Sequence, residues 1–264
     1  MSKKRPGVAA AIRLCQQHST TNDVRLWEKV EAQWDDVLRS MPDRIGRLLV
    51  SHHQSMERLG EQLRNQNASK ASLTKQELLE VVIPWKFAVG KPRPALWKLL
   101  RSNTEESVIN CTAKGISLAQ SIPTGKKKVK EDDIKEAIHA LTDLQGVGPA
   151  TASVVLSLVR PDVFAYMFDE VIDCFLPKRT YTLAVYLQCN KACHDLAEKL
   201  KWTPARVAST LWIAARACAA ETVEDLTLSA TKKATKKEEK IKYADAIEEE
   251  NELHGSRQSK RRKK

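Results

Sequence analysis

The chain is predicted to be all-α. Three observations lead there. Apolar residues recur at helical spacing almost throughout, alternating β-branched runs are absent, and glycine is scarce, with 9 in 264 residues. Residues 1–22 read as a loose, basic and polar N-terminal arm with a short helix around Val8–Cys15. A helix is expected from Asn22 or Asp23 through Leu38, with Val24, Trp27, Val30, Ala32 and Trp34 among its apolar positions. Another covers Ile45–Arg64, and Asn65–Ser72 is a polar linker.

Thr74-Lys75-Gln76-Glu77 is a capping-box pattern that opens a helix carrying Leu78, Leu79, Val82 and Ile83. That helix should end or kink at Pro84, or stop at Gly90. Lys91-Pro92-Arg93-Pro94 makes a stiff basic turn, Pro94–Leu100 starts the next helix, and Ser102–Glu106 caps the one after it. Pro123–Lys128 is an exposed loop. Two helices follow, Glu131–Leu144 and Pro149–Val159. Thr180–Cys189 and Lys191–Leu200 form two helices or one bent one, and Trp202-Thr203-Pro204 opens a last helix to about Ala220.

The domain boundaries expected are therefore an arm at 1–22, a helical domain at 23–220 and a charged tail at 221–264. The tail is rich in lysine pairs and nearly free of aromatics, a composition that favours disorder. It closes with Lys260-Arg261-Arg262-Lys263-Lys264, a run of the type that nuclear import factors bind, so a nuclear location is expected. A nonspecific nucleic-acid tail is the alternative for the same residues. The net charge of +11 suits a polyanionic partner. No apolar run is long enough to span a membrane, and no apolar signal core follows Met1–Pro6.

The six cysteines are scattered or fall on apolar helix faces, as reduced core thiols do. Cys189, Cys193 and His194 form C-x3-C-H, which is not a usual zinc spacing; no metal and no cofactor are expected.

The most informative segment is 141–172. Ile134, Ala137, Ile138, Leu141 and Leu144 make one helical stripe, and Ala152, Val155, Leu156 and Val159 make another. Between them Gly146-Val147-Gly148 breaks the helix and permits positive φ, and Pro149 sets the start of the second helix. A hairpin with uncovered N–H groups at a helix N-terminus suits an anion, and a nucleic-acid phosphate fits best. A tight αα turn with no ligand uses the same residues.

Leu144, Gly146, Val147, Gly148, Thr151, Ala152, Val155 and Leu156, with Asp169 downstream, resemble the helix-hairpin-helix/Gly-Pro-Asp superfamily of DNA glycosylases. The resemblance implies that Gly146, Val147, Gly148 and Thr151 grip a backbone phosphate of double-stranded DNA. It implies that Asp169, nineteen positions after Ala150, supports attack on the sugar carbon of a flipped nucleotide. Bifunctional members carry a Schiff-base lysine where this chain has Ala150, so a monofunctional DNA N-glycosylase of base excision repair is implied. Asp169 also departs from part of the family, because Thr-His does not follow it. An Asp before Val-Ile can equally be a helix N-cap. Nothing after Cys218 can complete a four-cysteine iron–sulfur loop.

Trp85, Lys86, Arg93 and Phe168 are the candidate pocket residues. Trp85 would stack on the extruded base, while Lys86, Lys91 and Arg93 reach phosphate or a base edge. For Trp85, burial in the core is the competing expectation. Two other functions remain: a catalytically inactive DNA-binding module, and a protein-interaction scaffold. A monomer is expected.

Overall fold

Four threonines set helix starts, and local hydrogen bonding explains each. In the computed structural model, which describes residues 11–16, 24–67, 70–123 and 129–217, Thr74 forms a reciprocal capping box with Glu77. Thr104, Thr182 and Thr203 each accept from the N–H three residues on. All described residues belong to one compact unit, and they are helices joined by turns.

A short helical stretch at 11–16 comes first and buries Ala11 and Leu14 completely. This part of the expected arm is thus docked, because its two apolar side chains face one side. The rest of the arm, the Lys126–Lys128 loop and the 221–264 tail with Lys260–Lys264 lie outside the described residues.

Helix α1 is Val24–Glu31 and α2 is Trp34–Ser40. The sequence predicts one helix here; the structure divides it at Gln33, whose backbone sits at φ −82°, ψ 9°. The break turns Trp34 onto Trp212 and His53, with ring centroids 5.3 and 4.8 Å away. Helix α3, Asp43–Asn65, follows. Helix α4 is built from Lys75–Glu77, a π-helical stretch Leu78–Val82 and Ile83–Val89. Pro84 does not end it. Pro84 cannot donate to the preceding turn, and the wider register, in which the Ile83 N–H reaches the Leu78 carbonyl, takes up the misfit just before it. The helix stops at Gly90.

Helices α5 (Pro94–Ser102), α6 (Glu105–Ser121) and α7 (Glu131–Thr142) lead to the hairpin. Helix α8, Pro149–Val159, is the centre of the molecule. Thr151 through Leu156 and Val159 are all buried, which is what an element apolar on every side requires. It packs on α3, α6 and α7, and also meets α10.

Helix α9 is Asp169–Phe175, α10 is Leu183–Leu200 and α11 is Pro204–Arg216. The stretch expected as two helices or one bent one at 180–200 is a single helix that begins at Leu183. Asn190 sits inside it, buried, and its amide serves the neighbouring chain: Oδ1 accepts the Ala165 N–H at 2.7 Å and Nδ2 donates to the Val163 carbonyl at 3.1 Å. Cys189 and Cys193 share the buried side of α10, and burial pushes the Cys189 thiol up to about 12. Helices α1, α9, α10 and α11 pack together, and the connection 160–168 links them to α8. That connection is clamped. Arg160 forks onto Asp162 and donates to the Ala119 and Ile122 carbonyls, and the Ser153 hydroxyl accepts the Met167 N–H. Asp169 is delivered at its end.

Candidate nucleic-acid interface and acidic site

The hairpin between α7 and α8 depends on one glycine for its shape. Gly146 has φ +77°, a conformation that L side chains rarely adopt. A Cβ there would also stand 3.1 Å from Leu99 Cβ and 3.3 Å from the Leu100 backbone nitrogen. Gly148 differs from the expectation. Its backbone is extended, at φ −111°, ψ −178°, and a Cβ there would meet no atom within 4 Å. Any residue could adopt this backbone; what glycine leaves is open space at the start of α8.

The backbone donors divide in the same way. The Val147 N–H reaches the Leu144 carbonyl and the Thr151 N–H reaches the Gly148 carbonyl at 2.8 Å. Among the described residues no acceptor meets the N–H of Gly146, Gly148 or Ala150. Val147 and Thr151 are themselves buried, at 7% and 2% exposure. Of the four residues expected at a phosphate, Gly146 and Gly148 therefore offer bare N–H groups, and Ala150 offers a third that the sequence does not single out. Thr151 is a core residue whose N–H closes the first turn of α8.

Asp169 is the first residue of α9, with Phe168 as the N-cap, so it does not cap the helix by its side chain. Its carboxylate is 14% exposed and fully engaged. Oδ1 accepts the Tyr181 hydroxyl at 2.8 Å, and Oδ2 accepts Arg179 Nη1 at 2.7 Å. Arg179 is shared, because its Nε and Nη2 also donate to Asp173. One guanidinium thus serves two carboxylates, and the group keeps a net negative charge. Burial, together with the bond to Asp169, holds the Tyr181 hydroxyl above its ordinary range and therefore protonated as a donor. Arg93 lies over the Tyr181 ring, 5.1 Å from its centroid.

A cavity of about 390 Å³ joins these parts. Its walls include Gly146 to Thr151 from the hairpin, Asp169 and Tyr181, and the cations Lys86, Lys91 and Arg93, with Leu96, Tyr166 and Met167 as apolar lining. Lys86 is the most enclosed of these cations. Burial pushes its ammonium down to about 8, nearby Arg93 adds to the drop, and Asp169 opposes it.

Lys86 and Arg93, two of the four candidate pocket residues, line this cavity; Trp85 and Phe168 do not. Trp85 and Lys86 are neighbours on α4, so they point about 100° apart around the helix axis. One faces the cavity and the other the aromatic core. There Trp85 packs on Tyr166 at 5.4 Å and on Phe168 at 6.4 Å, and Phe168 continues to Trp212 at 5.9 Å. Trp85 and Phe168 instead line a second cavity of about 360 Å³, with His53, Met56, Glu57 and Leu158.

Tyr181 and Arg179 are absent from the sequence expectations. They sit in the 176–182 connection, where the sequence predicts a helix from Thr180 that would hold Tyr181 in its first turn and leave Arg179 just before it. The one available signal is a cation and a phenol ten and twelve positions after a candidate carboxylate.

A buried amide holds the hairpin in place. Asn103, expected only within a capping segment, is 6% exposed and bonds both backbone groups of Gln145. Thr104 alone caps α6.

Comparison of the chain with family models, curated proteins and solved structures returns no match.

Proposed function

We propose that this protein binds duplex DNA and hydrolyses the N-glycosyl bond of an extruded nucleotide, as an N-glycosylase in base excision repair. One observation carries the reading: Gly148 and Ala150, whose N–H groups are bare, and Asp169 line one cavity together with Lys86, Lys91 and Arg93. The resemblance of 141–172 to the helix-hairpin-helix/Gly-Pro-Asp glycosylases supports it.

In this mechanism the hairpin N–H groups and the cations hold the backbone beside the target nucleotide. The base leaves with the electron pair of the C1′–N bond, and positive charge develops on the sugar. Asp169 stabilises that charge. Tyr181 and Arg179 fix its two oxygens, so the carboxylate is aligned before the sugar arrives. Sharing Arg179 with Asp173 leaves the cluster of two carboxylates and one guanidinium with one negative charge. Water then bonds to C1′ and loses its proton to solvent, which leaves an abasic sugar. Ala150 places no amine in the hairpin, so base release itself proceeds through water.

The same engagement of Asp169 favours a second reading, a DNA-binding module without catalysis, because neither oxygen is free of a donor. A panel of duplexes, each with one damaged or mismatched base and treated with alkali after incubation, separates the two. Strand breaks at a lesion support the glycosylase. Tight duplex binding with no break on any duplex supports the module. Nuclear action is part of the proposal, and removal of Lys260–Lys264 from a fluorescent fusion should shift it toward the cytoplasm. A truncated fusion that stays fully nuclear would refute import through that run.

A further inference from the structure

The cavity of about 360 Å³ shares only Tyr166 with the cavity that holds Asp169. Its volume is in the range of small-molecule pockets, roughly 300–1,000 Å³. One side is apolar and buried, built from Met56, Trp85, Val154, Tyr166 and Phe168. The rings of Trp85, Tyr166 and Phe168 stand 4.1 to 6.4 Å apart, tilted or edge-on to one another. The other side is charged and exposed, with Glu57, Glu61 and Arg64 from α3.

Two buried polar atoms of the lining residues have no partner among the described residues: Nε1 of Trp85 and Nδ1 of His53. A buried polar atom is normally paired. Trp85 is 9% exposed and its indole nitrogen is a donor only. His53 supplies the opposite character. Burial holds its imidazole below the ordinary histidine range, so the ring is neutral at pH 7. Its Nε2 lies 3.6 Å from a Glu57 oxygen, and a proton on that nitrogen leaves Nδ1 as an acceptor.

We propose that this cavity is a second ligand site, which takes a planar nitrogen heterocycle of purine size with an exocyclic amine, as a free base or nucleoside without phosphate. A ring nitrogen of such a ligand accepts the Trp85 N–H. Its flat, apolar faces pack on the aromatic side chains. Its amine and ring N–H donate to His53 Nδ1 and to the Glu57 or Glu61 carboxylate, as base amines do to acidic side chains. Two carboxylates and one guanidinium leave the rim at −1, in a chain whose net charge is +11. Arg64 is also already engaged, donating to the Leu158 carbonyl at 2.6 Å. The rim therefore repels phosphate, which sets this site apart from the cation-lined Asp169 cavity. The site needs no DNA, so it stands or falls independently of the glycosylase reading.

The test is a titration of the full chain with 2-aminopurine, whose fluorescence is quenched when it stacks on aromatic rings. Saturable quenching is expected, with a Kd below about 1 mM. Adenine should displace the probe. Purine, which lacks the amine, and adenosine monophosphate, which adds phosphate, should each compete at least fivefold more weakly. Trp85→Phe keeps a ring and loses the donor, and should weaken binding about fivefold. Glu57→Gln with Glu61→Gln changes only exposed side chains, so it tests the rim without threatening the fold, and should weaken binding by a similar factor. Asp169→Asn and Lys86→Met, in the other cavity, should bind the probe as wild type does. No saturable quenching overturns the proposal. So does binding that the rim pair leaves unchanged, or that Asp169→Asn or Lys86→Met abolishes. Equal competition by purine or by adenosine monophosphate refutes the ligand class. Full displacement by tetramethylammonium, which has charge but neither N–H nor ring, would make this a simple cation site and overturn it too.

Discussion

Asn103 holds both backbone groups of Gln145: its Nδ2 donates to the carbonyl at 3.0 Å and its Oδ1 accepts the N–H at 2.9 Å. The hairpin is therefore pinned from α5, forty-two residues earlier in the chain. Nδ2 also donates to the Leu100 carbonyl at 3.0 Å. Asn103→Ala would strip these partners from a part-buried turn and should destabilise the fold by about 1–3 kcal/mol. Urea unfolding monitored by helical circular dichroism checks this. An unchanged midpoint would mean that the amide does not hold the turn.

The two hairpin glycines should separate cleanly. Gly146→Ala adds a Cβ at positive φ against Leu99 and Leu100, and should lower stability by about 1–3 kcal/mol. Gly148→Asp meets only open space, so the fold should keep its stability. The substitution would put a carboxylate at the start of α8 beside the bare N–H groups, and duplex affinity should fall about tenfold or more, whatever the sequence. Undiminished duplex binding by a folded Gly148→Asp protein would remove the hairpin from the interface.

Asp169→Asn keeps the size of the side chain and removes its charge. Base release should drop by orders of magnitude, while duplex binding holds or tightens slightly because a negative charge near DNA is gone. Tyr181→Phe removes one of the two donors that align the carboxylate and should reduce base release by a smaller factor, on the order of tenfold. Single-turnover assays on the best duplex of the panel would read both. Equal activity of Asp169→Asn and wild type would take the catalytic role from this residue.

Lys86 should leave a pH signature in stability. Its ammonium is held down in the folded chain, to about 8 against an ordinary value near 10.5. Between those values the unfolded chain binds more protons, so this residue's contribution to stability rises with pH. Below about 8 the buried charge carries its full penalty, and above about 10.5 it carries none. Lys86→Met should thus be more stable than wild type at neutral pH, by on the order of 2 kcal/mol, and the gap should close as pH rises through that window. A gap that is constant with pH would show that Lys86 is not desolvated.

Much of the helical architecture was legible locally. The capping box of Thr74 and Glu77, the stop at Gly90, the stripes on either side of the hairpin and the restart at Pro149 each follow from contacts within one or two turns. Where local pattern misled, distant packing decided. The first helix divides where Trp34 packs on Trp212, and α10 runs unbroken through Asn190, which bonds Val163 and Ala165.

By itself the sequence determined the helical class and the place of the two-glycine hairpin, because helix periodicity, caps and turn chemistry act over a few residues, and the family resemblance of 141–172 drew attention to Asp169. Only the tertiary structure decided what surrounds that acid. Side chains ten to eighty-three positions away meet around Asp169: Arg179, Tyr181, Arg93 and Lys86. It also decided that Lys86 faces the cavity while Trp85 faces the core. Such pairings depend on how whole helices cross, and burial selects among faces that the sequence pattern leaves equivalent.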